Sequence, residues 1–520
     1  MPMLLKSKEN SSSTLYMNCN MNRIVRAVFL ILLLALIPST MLKAESDRPN
    51  ILILFLDDLD PDFGCYGNKL TQTPNIDQLA GEGMRFTRAY ATAPVCSPSH
   101  TSLFTGCYAS TVGCPQHRSS YIDKLPEAYT ILTQLMSEAG YFTVNFKSNG
   151  DRMYNKIYGA TAKTDLNFDR GKWENNQESG KEVFDHLQII DPTDISTYFN
   201  GGEWTKKREG QPFFAYANIE TGKKHGFEPG RIWAKERGIA VDSTHIDVPL
   251  YYSDNGEVRH ILASSLDAVS HVDFEVGKFL DALEESGCAD NTMVILMSDH
   301  GATLQRHKQC LWYTGVHIPM ILRWPNHIKA GQVNKELASI IDIAPTCLQA
   351  VSAEVPKTME GLNLLSKAPR KRTCVFATRD GMDGTFDCSR TVITKDFQYI
   401  HHFFPELPYC ENSYASRALT FKSMKDLQKN NKLTDLQAMY FIAKPPFELY
   451  DLQKDIKQLK NLAFDVKHQE QVKNYQQLLF KWQKQTGDKI IDARKYLGVD
   501  KVPINTSVDG LLEMRSKELE

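Results

Sequence analysis

Net charge is almost absent from this chain. Its 60 lysines and arginines nearly cancel its 62 aspartates and glutamates, which leaves the 520 residues with a formal charge of −2 at pH 7. A molecule without an overall field has no general attraction for nucleic acid or anionic lipid. Any attraction for an anionic substrate therefore has to come from a local group of cations. The hydrophobic fraction of 42% is high enough for a large core and argues against disorder.

Long apolar runs are also scarce. The one such run covers residues 27–37, follows Arg23 and Arg26, and precedes a plausible cleavage site after Ala44. This pattern is typical of a secretory signal, so we predict that residues 1–44 are a signal peptide with an upstream segment. The run is about half of the ~20 residues that a spanning helix needs, which makes an uncleaved anchor the weaker alternative. Export predicts a secreted or periplasmic protein.

Paired metal-binding cysteines are missing too, because no Cys-x-x-Cys motif occurs. The cysteines after the predicted signal follow no compact disulfide framework. We predict small buried thiols, with room for one or two bridges, at every position except Cys96. The ten residues are Cys65, Cys96, Cys107, Cys114, Cys288, Cys310, Cys347, Cys374, Cys388 and Cys410.

Apolar runs and helical patterns alternate along the rest of the chain. Continuous apolar runs at residues 51–56, 213–219, 293–297 and 320–322 predict strands that are buried on both faces of a sheet. Apolar residues at three- and four-residue steps from Val258 to Leu283 predict a long helix that ends before Gly287. This alternation predicts an α/β fold with a doubly wound sheet, whose site lies beyond the carboxyl ends of the strands.

A change of texture near residue 365 predicts a second structural unit. The polar break at residues 368–372 is followed by short candidate strands at 374–378 and 390–401, and an amphipathic helix is predicted at 469–484. We therefore expect a main domain at residues 45–365 and a smaller C-terminal α+β subdomain at residues 366–520.

Acidic residues follow two of the predicted strands. Asp57 and Asp58 close the first strand, and Asp299 with His300 closes another. Parallel strands would bring these four side chains to one edge, where carboxylate oxygens suit a hard divalent cation such as calcium. A lone aspartate at a strand end is more often a helix cap or a turn residue, but two paired sets make that interpretation less favourable.

The segment at residues 96–100 has the sequence CSPSH and resembles the Cys-x-Pro-x-Arg signature of sulfatases, with His100 in the place of the arginine. In that family the cysteine is oxidised to formylglycine. Other motifs resemble the same family in its own order, and the nearest resemblance is to bacterial members of the heparan N-sulfatase (N-sulfoglucosamine sulfohydrolase) type. These motifs are Arg48-Pro49-Asn50, Asp57-Asp58, Gly64-Cys65-Tyr66-Gly67, Thr73-Pro74-Asn75-Ile76-Asp77, Ser298-Asp299-His300-Gly301 and Glu448-Leu449-Tyr450-Asp451.

The resemblance implies an alkaline-phosphatase-like fold, one calcium ion and a 3-oxoalanine (formylglycine) at Cys96. The implied metal ligands are Asp57, Asp58, Asp299, His300 and the residue derived from Cys96. In the family the hydrated aldehyde attacks sulfur, and a formylglycine-generating enzyme is the maturation partner. Imidazole is a poor calcium ligand, and many relatives carry asparagine at the position of His300.

The resemblance also implies further catalytic residues. Lys147 and Lys163 are both candidates for one lysine of the family, and we favour Lys163 because it opens a Lys-Thr-Asp segment similar to that of heparan N-sulfatase-like proteins. Lys308 would contact the sulfate and protonate the leaving group. His225 is a candidate for the family's histidine acid. The alternatives are a solvated surface charge for each lysine and an ordinary loop residue for the histidine.

Substrate contacts are implied for three residues. His117 and Arg118 resemble glycan-contacting residues of heparan N-sulfatase-like members, and His307 is adjacent to Lys308. A guanidinium group is well suited to a bidentate grip on a carboxylate or sulfate. An exposed arginine without such a role is the alternative for Arg118.

The replacement at His100 leaves three functional hypotheses. Imidazole carries less charge than guanidinium near neutral pH and lacks its fork of donors, so Cys96 is either matured despite the change or stays a thiol. The first hypothesis is a secreted sulfatase that hydrolyses sulfate ester or sulfamate groups of sulfated glycans. The alternatives are a phosphatase or phosphodiesterase of the same superfamily, and a non-catalytic glycan-binding relative.

Overall fold

A computed structural model describes residues 48–118, 124–149, 160–168, 183–220, 227–366, 372–382, 387–409 and 419–488. The predicted signal peptide, His225 and Cys410 lie outside the described residues. No helix in the described ranges combines the length and the apolar character that a membrane crossing requires. The nine cysteines that the structure describes are all free thiols.

Fifteen strands form the sheets of the described chain. They are β1 (Asn50–Leu56), β2 (Met84–Phe86), β3 (Ala89–Tyr90), β4 (Phe142–Ser148), β5 (His186–Ile190), β6 (Phe213–Ile219), β7 (Thr292–Ser298), β8 (His317–Ile318), β9 (Met320–Arg323), β10 (Gln332–Asn334), β11 (Ala338–Ser339), β12 (Val375–Arg379), β13 (Ser389–Ile393), β14 (Phe397–His402) and β15 (Phe447–Asp451).

Ten α-helices accompany these strands in the described chain. They are α1 (Pro74–Glu82), α2 (Cys96–Thr105), α3 (Leu132–Glu138), α4 (Glu228–Glu236), α5 (Gly256–Glu285), α6 (Tyr313–Val316), α7 (Ile343–Ala350), α8 (Leu419–Lys429), α9 (Asp435–Ala438) and α10 (Gln469–Thr486). Single turns of 3-10 helix lie at Gly64–Tyr66, Ile195–Thr197, Gly202–Lys206, Ser243–His245, Ala289–Asn291, Ile340–Asp342, Met439–Phe441 and Val466–His468.

An eight-stranded mixed sheet forms the centre of the fold, in the order β10-β2-β9-β7-β1-β6-β4-β5. Strand β1 pairs in parallel with β6 and β7, and Leu56 lies opposite both Ile219 and Ser298. Strand β9 runs antiparallel to β7 and β2. Three central strands therefore end at the same edge of the sheet, where ligands bind in doubly wound folds.

Alternate residues of β1 pack into two separate hydrophobic clusters, because successive side chains of a strand point to opposite faces. Residues 51, 53 and 55 belong to one cluster with α2, α3 and α7, and residues 52, 54 and 56 belong to the other with α1 and α5. Helices therefore cover both faces of the sheet. The predicted doubly wound α/β fold and the long helix, which is α5, are confirmed.

A four-stranded antiparallel sheet in the order β12-β13-β14-β15 forms the smaller α+β subdomain that the sequence predicts. Helix α10 packs on it, and the ring of Trp482 stacks on Phe376 with centroids 4.7 Å apart. The stretch at residues 390–401 contains two strands, because Thr394 N donates to Phe397 O at 2.9 Å and turns the chain between β13 and β14. The domain boundary at residue 365 stays a prediction.

Candidate active site

The carboxyl ends of β1 and β7 bring four predicted metal ligands together. Asp57 and Asp58 follow β1, and Asp299 and His300 follow β7. The parallel register continues past the strands, since Asp299 N donates to Leu56 O at 3.1 Å. Asp58 N in turn donates to Asp299 Oδ1 at 2.8 Å. Asp58 has φ 60, a left-handed conformation in which the short side chain of aspartate is tolerated.

Cys96 is the first residue of α2 and faces the same edge of the sheet. Its Sγ lies 3.4 Å from His300 Nε2, 3.7 Å from Asp58 Oδ1 and 3.3 Å from Lys308 Nζ. Every residue of α2 is buried, and Ser99 Oγ donates to Asp299 O at 2.6 Å. The helix is thus attached to the strand ends, and the positive end of its dipole is directed at position 96.

Two buried lysines neutralise the aspartates. Lys163 Nζ donates to both carboxylate oxygens of Asp57, at 2.8 and 2.9 Å, and Lys308 Nζ donates to both of Asp58, at 2.9 and 3.0 Å. Burial opposes the charge of Lys163, but Cys96 and the nearby carboxylates raise its pKa above the ordinary value. Burial likewise opposes the charge of Lys308, whose pKa is raised by Asp58 and Cys96. Both lysines are therefore cations at neutral pH.

The ring of His300 is oriented by its backbone neighbour. Its Nδ1 is 2.8 Å from Gly301 O, and a carbonyl oxygen can only accept, so Nδ1 carries the proton. Nε2 then faces Asp58 Oδ1 and Asp299 Oδ2, each at 3.1 Å. Burial alone would lower the pKa of His300, but the charges of Asp299 and Asp58 raise it to about 10.

His100 is completely buried one turn into α2 and points at the same carboxylates. Its Nε2 lies 3.6 Å from Asp57 Oδ1 and 3.7 Å from Asp299 Oδ2, and Phe55 packs against its ring edge to face at 4.8 Å. Among the described residues, no contact of either His100 ring nitrogen meets the geometry of a hydrogen bond. The same holds for Asp299 Oδ2. Buried polar atoms without hydrogen bonds are costly, and they are accounted for when the atoms are ligands.

Three groups of donor atoms among the described residues could hold a metal ion. They are Asp58, Cys96, Asp299 and His300; Asp57, His100 and Asp299; and Cys96, His117 and Asp165. Carboxylate oxygens and imidazole nitrogens are common metal ligands, so the residues of these groups fit a divalent cation by their donor atoms. The calcium that the family resemblance implies stays a prediction.

Asp165 is a residue whose role sequence reasoning missed, although it lies in the Lys-Thr-Asp segment of Lys163. Arg118 donates from Nε and Nη2 to its two carboxylate oxygens, at 3.2 and 3.0 Å, and Lys163 Nζ lies 3.7 Å away. Arg118 N also donates to Ser97 Oγ at 2.9 Å, which brings its backbone next to position 96. The side chain of Arg118 is 31% exposed, so it remains partly accessible to solvent.

The other predicted residues lie at different distances from this cluster. His117 has a ring nitrogen within 4.8 Å of ligand atoms of Cys96 and Asp165. His307 Nδ1 lies 2.6 Å from Asp60 Oδ2. Burial opposes the charge of His307, but Asp60 and other nearby groups raise its pKa above the ordinary value. Lys147 lies on β4.

Asp60 is a second residue that sequence reasoning missed. Its Oδ1 accepts from Ala302 N at 3.1 Å while its Oδ2 faces His307, so one carboxylate fixes both ends of the loop that carries Lys308. Thr303 Oγ1 from the same loop donates to Asp58 Oδ2 at 2.8 Å. The signal for Asp60 was present in the sequence, as a third acid two residues after Asp58.

Comparison with known proteins assigns the family. The sulfatase family model matches residues 49–353, which is more than half of the chain. The chain belongs to the sulfatase family. A second model, described as N-sulphoglucosamine sulphohydrolase, C-terminal, matches residues 304–405. The predicted resemblance to heparan N-sulfatase-like sulfatases is confirmed, and so is the predicted class of enzyme, a sulfuric ester or sulfamate hydrolase.

Individual relatives agree with this assignment. An ulvan-active sulfatase from Formosa agariphila is 27% identical over 486 residues, which cover 85% of this sulfatase and 76% of the relative. Human N-sulphoglucosamine sulphohydrolase is 26% identical over 483 residues, which cover 85% and 91% of the two chains. A protein solved in complex with its substrate D-glucosamine-2-N,6-O-disulfate has the same fold, with a TM-score of 0.59, 18% identity, and coverage of 86% of this chain and 99% of that one.

Proposed function

We propose that this sulfatase removes sulfate from ester or sulfamate groups of a sulfated glycan, using a formylglycine at position 96 and one divalent cation. The proposal depends above all on the surroundings of Cys96 Sγ, which lies 3.3 Å from Lys308 Nζ and 3.4 Å from His300 Nε2. The substrate class is supported by the relatives, which include a sulfoglucosamine hydrolase and a protein bound to a glucosamine disulfate.

The modified cysteine and the cation would supply the two chemical functions that side chains lack. When they are in place, formylglycine provides an oxygen nucleophile and the cation provides positive charge for the sulfuryl oxygens. Asp57, Asp58, Asp299 and His300 would hold the cation. Their backbone contacts across β1 and β7 fix these donors before substrate arrives, so little reorganisation is needed during the reaction.

Lys308 is proposed to bind the sulfate and to hold the proton for the leaving atom. Its Nζ is within 3.3 Å of position 96 and stays protonated because of its raised pKa. An ammonium group can donate three hydrogen bonds, so it can keep Asp58 as a partner while it contacts a sulfuryl oxygen. Proximity to both reacting groups makes it the residue best placed to give a proton to the departing oxygen or nitrogen.

Lys163 is proposed to bring a second positive charge next to the sulfate, from the side of the site where Asp57 lies. Asp165 holds both Lys163 and Arg118, at 3.7 and 3.0 Å, and so orients two cations at the entrance of the site. His117 and the exposed part of Arg118 would then contact the glycan. His307 would contribute through the loop that carries Lys308. His225 remains a candidate acid outside the described residues.

Maturation and turnover can be tested on one preparation. The tryptic peptide that contains Cys96 ends at Arg118, and we expect its mass in protein from the native host to be lower by the difference between a thiol and an aldehyde. The same protein should release sulfate from at least one member of a panel of O- and N-sulfated mono- and disaccharides. Cys96→Ala is the matched control and should release none.

Each alternative hypothesis corresponds to a separate result. An unmodified Cys96 together with binding but no release would identify a non-catalytic glycan-binding relative. Release of phosphate from phosphate esters, with no sulfate released, would identify a phosphatase or phosphodiesterase. Release from glucosamine N-sulfate but not from O-sulfates would narrow the proposal to a sulfamate hydrolase.

Secretion or periplasmic export is the last part of the proposal and depends on the signal predicted in residues 1–44. The proposal also includes a formylglycine-generating enzyme as the maturation partner of the chain. N-terminal sequencing of the exported protein should begin near Glu45. A protein that keeps residues 27–37 and sediments with membranes would instead be anchored.

A further inference from the structure

We propose that Arg306 is a positioning residue for the sulfatase reaction, because it ties the loop that carries Lys308 to the smaller subdomain. The loop covers residues 302–309. The inference rests on the proposed function, in which Lys308 contacts the sulfate and gives a proton to the leaving atom. It adds a residue that acts through Lys308 and not on the substrate itself.

The first argument is the surroundings of the Arg306 guanidinium. Arg306 is buried, and its Cζ lies 4.6 Å from the ring centroid of Tyr251 and 4.5 Å from that of Trp312. Its Nη2 donates a hydrogen bond to the backbone oxygen of Gln458, in the segment between β15 and α10. A planar guanidinium stacks well on aromatic rings, so two rings and one carbonyl hold this group in place.

The second argument is that Gln458 holds the chain on both sides of Lys308. The buried side chain of Gln458 accepts from Tyr313 N through Oε1 at 2.6 Å, and its Nε2 donates to Gln398 Oε1 on β14 at 2.8 Å. Arg306 provides the connection before Lys308, and Tyr313 provides the one after it. The smaller subdomain therefore fixes the segment in which the catalytic lysine lies.

The third argument is the backbone next to Lys308. Arg306 has φ 72 and Gln309 has φ 67, values that residues other than glycine rarely adopt. Such conformations persist where the surrounding structure imposes them. Thr314 Oγ1 donates to Arg306 O at 2.8 Å, so the carbonyl of Arg306 is held as well as its side chain. Weakening this anchor should let the loop relax and move Lys308 Nζ, which lies 3.3 Å from Cys96 Sγ.

The first measurement is the position of Lys308 itself. Crystal structures of the full-length wild type and of Arg306→Lys would be compared at the same loop. We expect Lys308 Nζ next to position 96 in the wild type and displaced by about 1 Å or more in the variant, a shift large enough to slow a reaction by about 100-fold. An unmoved Lys308 in the variant would overturn the inference.

The second measurement is sulfate release in a double-mutant cycle, with the sulfated monosaccharide that the wild type hydrolyses fastest. Arg306→Lys should lower kcat by about 10- to 100-fold. In a Lys308→Met background the same substitution should lower kcat by less than about twofold, because no ammonium group remains to be positioned. A merely structural role would lower kcat by the same factor in both backgrounds, and that result would contradict the inference.

Arg231→Lys is the matched control for the cycle. Arg231 is also a buried arginine, and its Nη1 donates to Val241 O and to Asp267 Oδ2, both at 2.6 Å. The substitution should lower the melting temperature but leave kcat and the position of Lys308 unchanged. Circular dichroism would show that each variant is folded.

Tyr251→Leu keeps the inference testable if Arg306→Lys does not fold. It removes one aromatic ring from the guanidinium and leaves the hydrogen bond to Gln458 O in place. We expect a smaller loss of kcat than in Arg306→Lys, which again disappears in the Lys308→Met background. A loss of equal size in both backgrounds would count against the positioning role.

The two measurements separate failure of this inference from failure of the proposed function. A wild-type protein that releases no sulfate, together with a displaced Lys308 in the variant, would reject the sulfatase mechanism and keep the positioning role of Arg306. Undiminished release by Arg306→Lys, with Lys308 in its original place, would keep the sulfatase mechanism and reject that role.

Discussion

Both carboxylate oxygens of Asp57 accept hydrogen bonds from the Nζ of Lys163, at 2.8 and 2.9 Å. The contact joins residues that are 106 positions apart in the chain. The contact pairs a cation with Asp57, the carboxylate nearest to His100. At most two hydrogens of Lys163 Nζ remain for any further partner. Lys163 is accordingly the better candidate for the sulfate-binding lysine.

Replacing Lys163 with methionine should therefore lower turnover strongly. The substitution keeps most of the side-chain volume and removes the charge that would stabilise the sulfuryl oxygens. We expect kcat to fall by about 100- to 1,000-fold, as for the loss of one donor to a developing charge. The measurement is sulfate release at saturating substrate.

Lys147→Met is the matched control for this prediction. Lys147 competes for the same family role, and it lies on β4 where its backbone bridges to Thr161. We expect turnover within about twofold of the wild type. If the Lys147 variant loses activity and the Lys163 variant keeps it, the assignment of the two lysines has to be exchanged.

The central sheet and its acidic edge could be predicted from sequence because their signals are local. A continuous apolar run that ends in two carboxylates identifies β1, and the same pattern before Asp299 identifies β7. Parallel topology then brings the two ends together, whatever lies between them in the chain. Neither step requires knowledge of a distant contact.

The contacts of Lys163 and Arg118 could not be predicted in this way. The chain returns to the sheet at Thr161, whose backbone N donates to Asn218 O at 2.9 Å, and Lys163 follows beyond the end of β6. The pairing of Arg118 with Asp165 depends on that return, so it is a tertiary result without a local pattern. The environment of His100 is similar, because its neighbours Asp57 and Asp299 lie far from it in the sequence, at the ends of β1 and β7.

Removal of the metal should lower thermal stability, and addition of a divalent cation should restore it. Asp57, Asp58 and Asp299 lie together in a buried cluster, so an ion that binds only the folded state stabilises it by about 3 kcal/mol at 100 times its dissociation constant. Thermal unfolding of chelator-treated protein with and without added cation measures this effect.

Asp299→Asn should respond far less to the same cation. Asparagine can still accept from the backbone N of Asp58 and of His300 through its oxygen, but it carries no charge. An equal rise in melting temperature in the variant would show that the cation binds elsewhere.

Glu448 should make the free energy of unfolding depend on pH at values below the usual pKa of a glutamate. Burial would raise the pKa of Glu448, but His402, Tyr450 and Tyr409 donate hydrogen bonds to it and lower its pKa to about 2. A carboxyl group whose pKa is lowered in the folded state contributes stability. This contribution is complete above about pH 4.5 and is lost as the pH falls toward 2. The loss should be on the order of 3 kcal/mol.

Urea unfolding at pH 5 and pH 3 can separate this contribution from that of other carboxylates. Glu448→Gln has no charge to lose, so its stability should fall less than that of the wild type between the two pH values. Parallel curves for the two proteins would mean that Glu448 does not titrate abnormally.

Arg390 should be the most sensitive single position for the stability of the smaller subdomain. It is fully buried on β13, donates to Asp488 at 2.6 and 3.0 Å, and donates to Asp380 at 3.1 Å. Arg390→Met would leave two buried carboxylates without their cation, which costs about 3–5 kcal/mol. Arg390→Lys should recover part of this loss, because it restores the charge but not the forked donors of the guanidinium.

Burial already raises the pKa of Asp380 to about 6 in spite of Arg390, so without the cation both carboxyl groups should take up protons more readily. The cost of Arg390→Met should therefore shrink when unfolding is measured at pH 5 instead of pH 7, and a cost that is the same at both values would contradict this account.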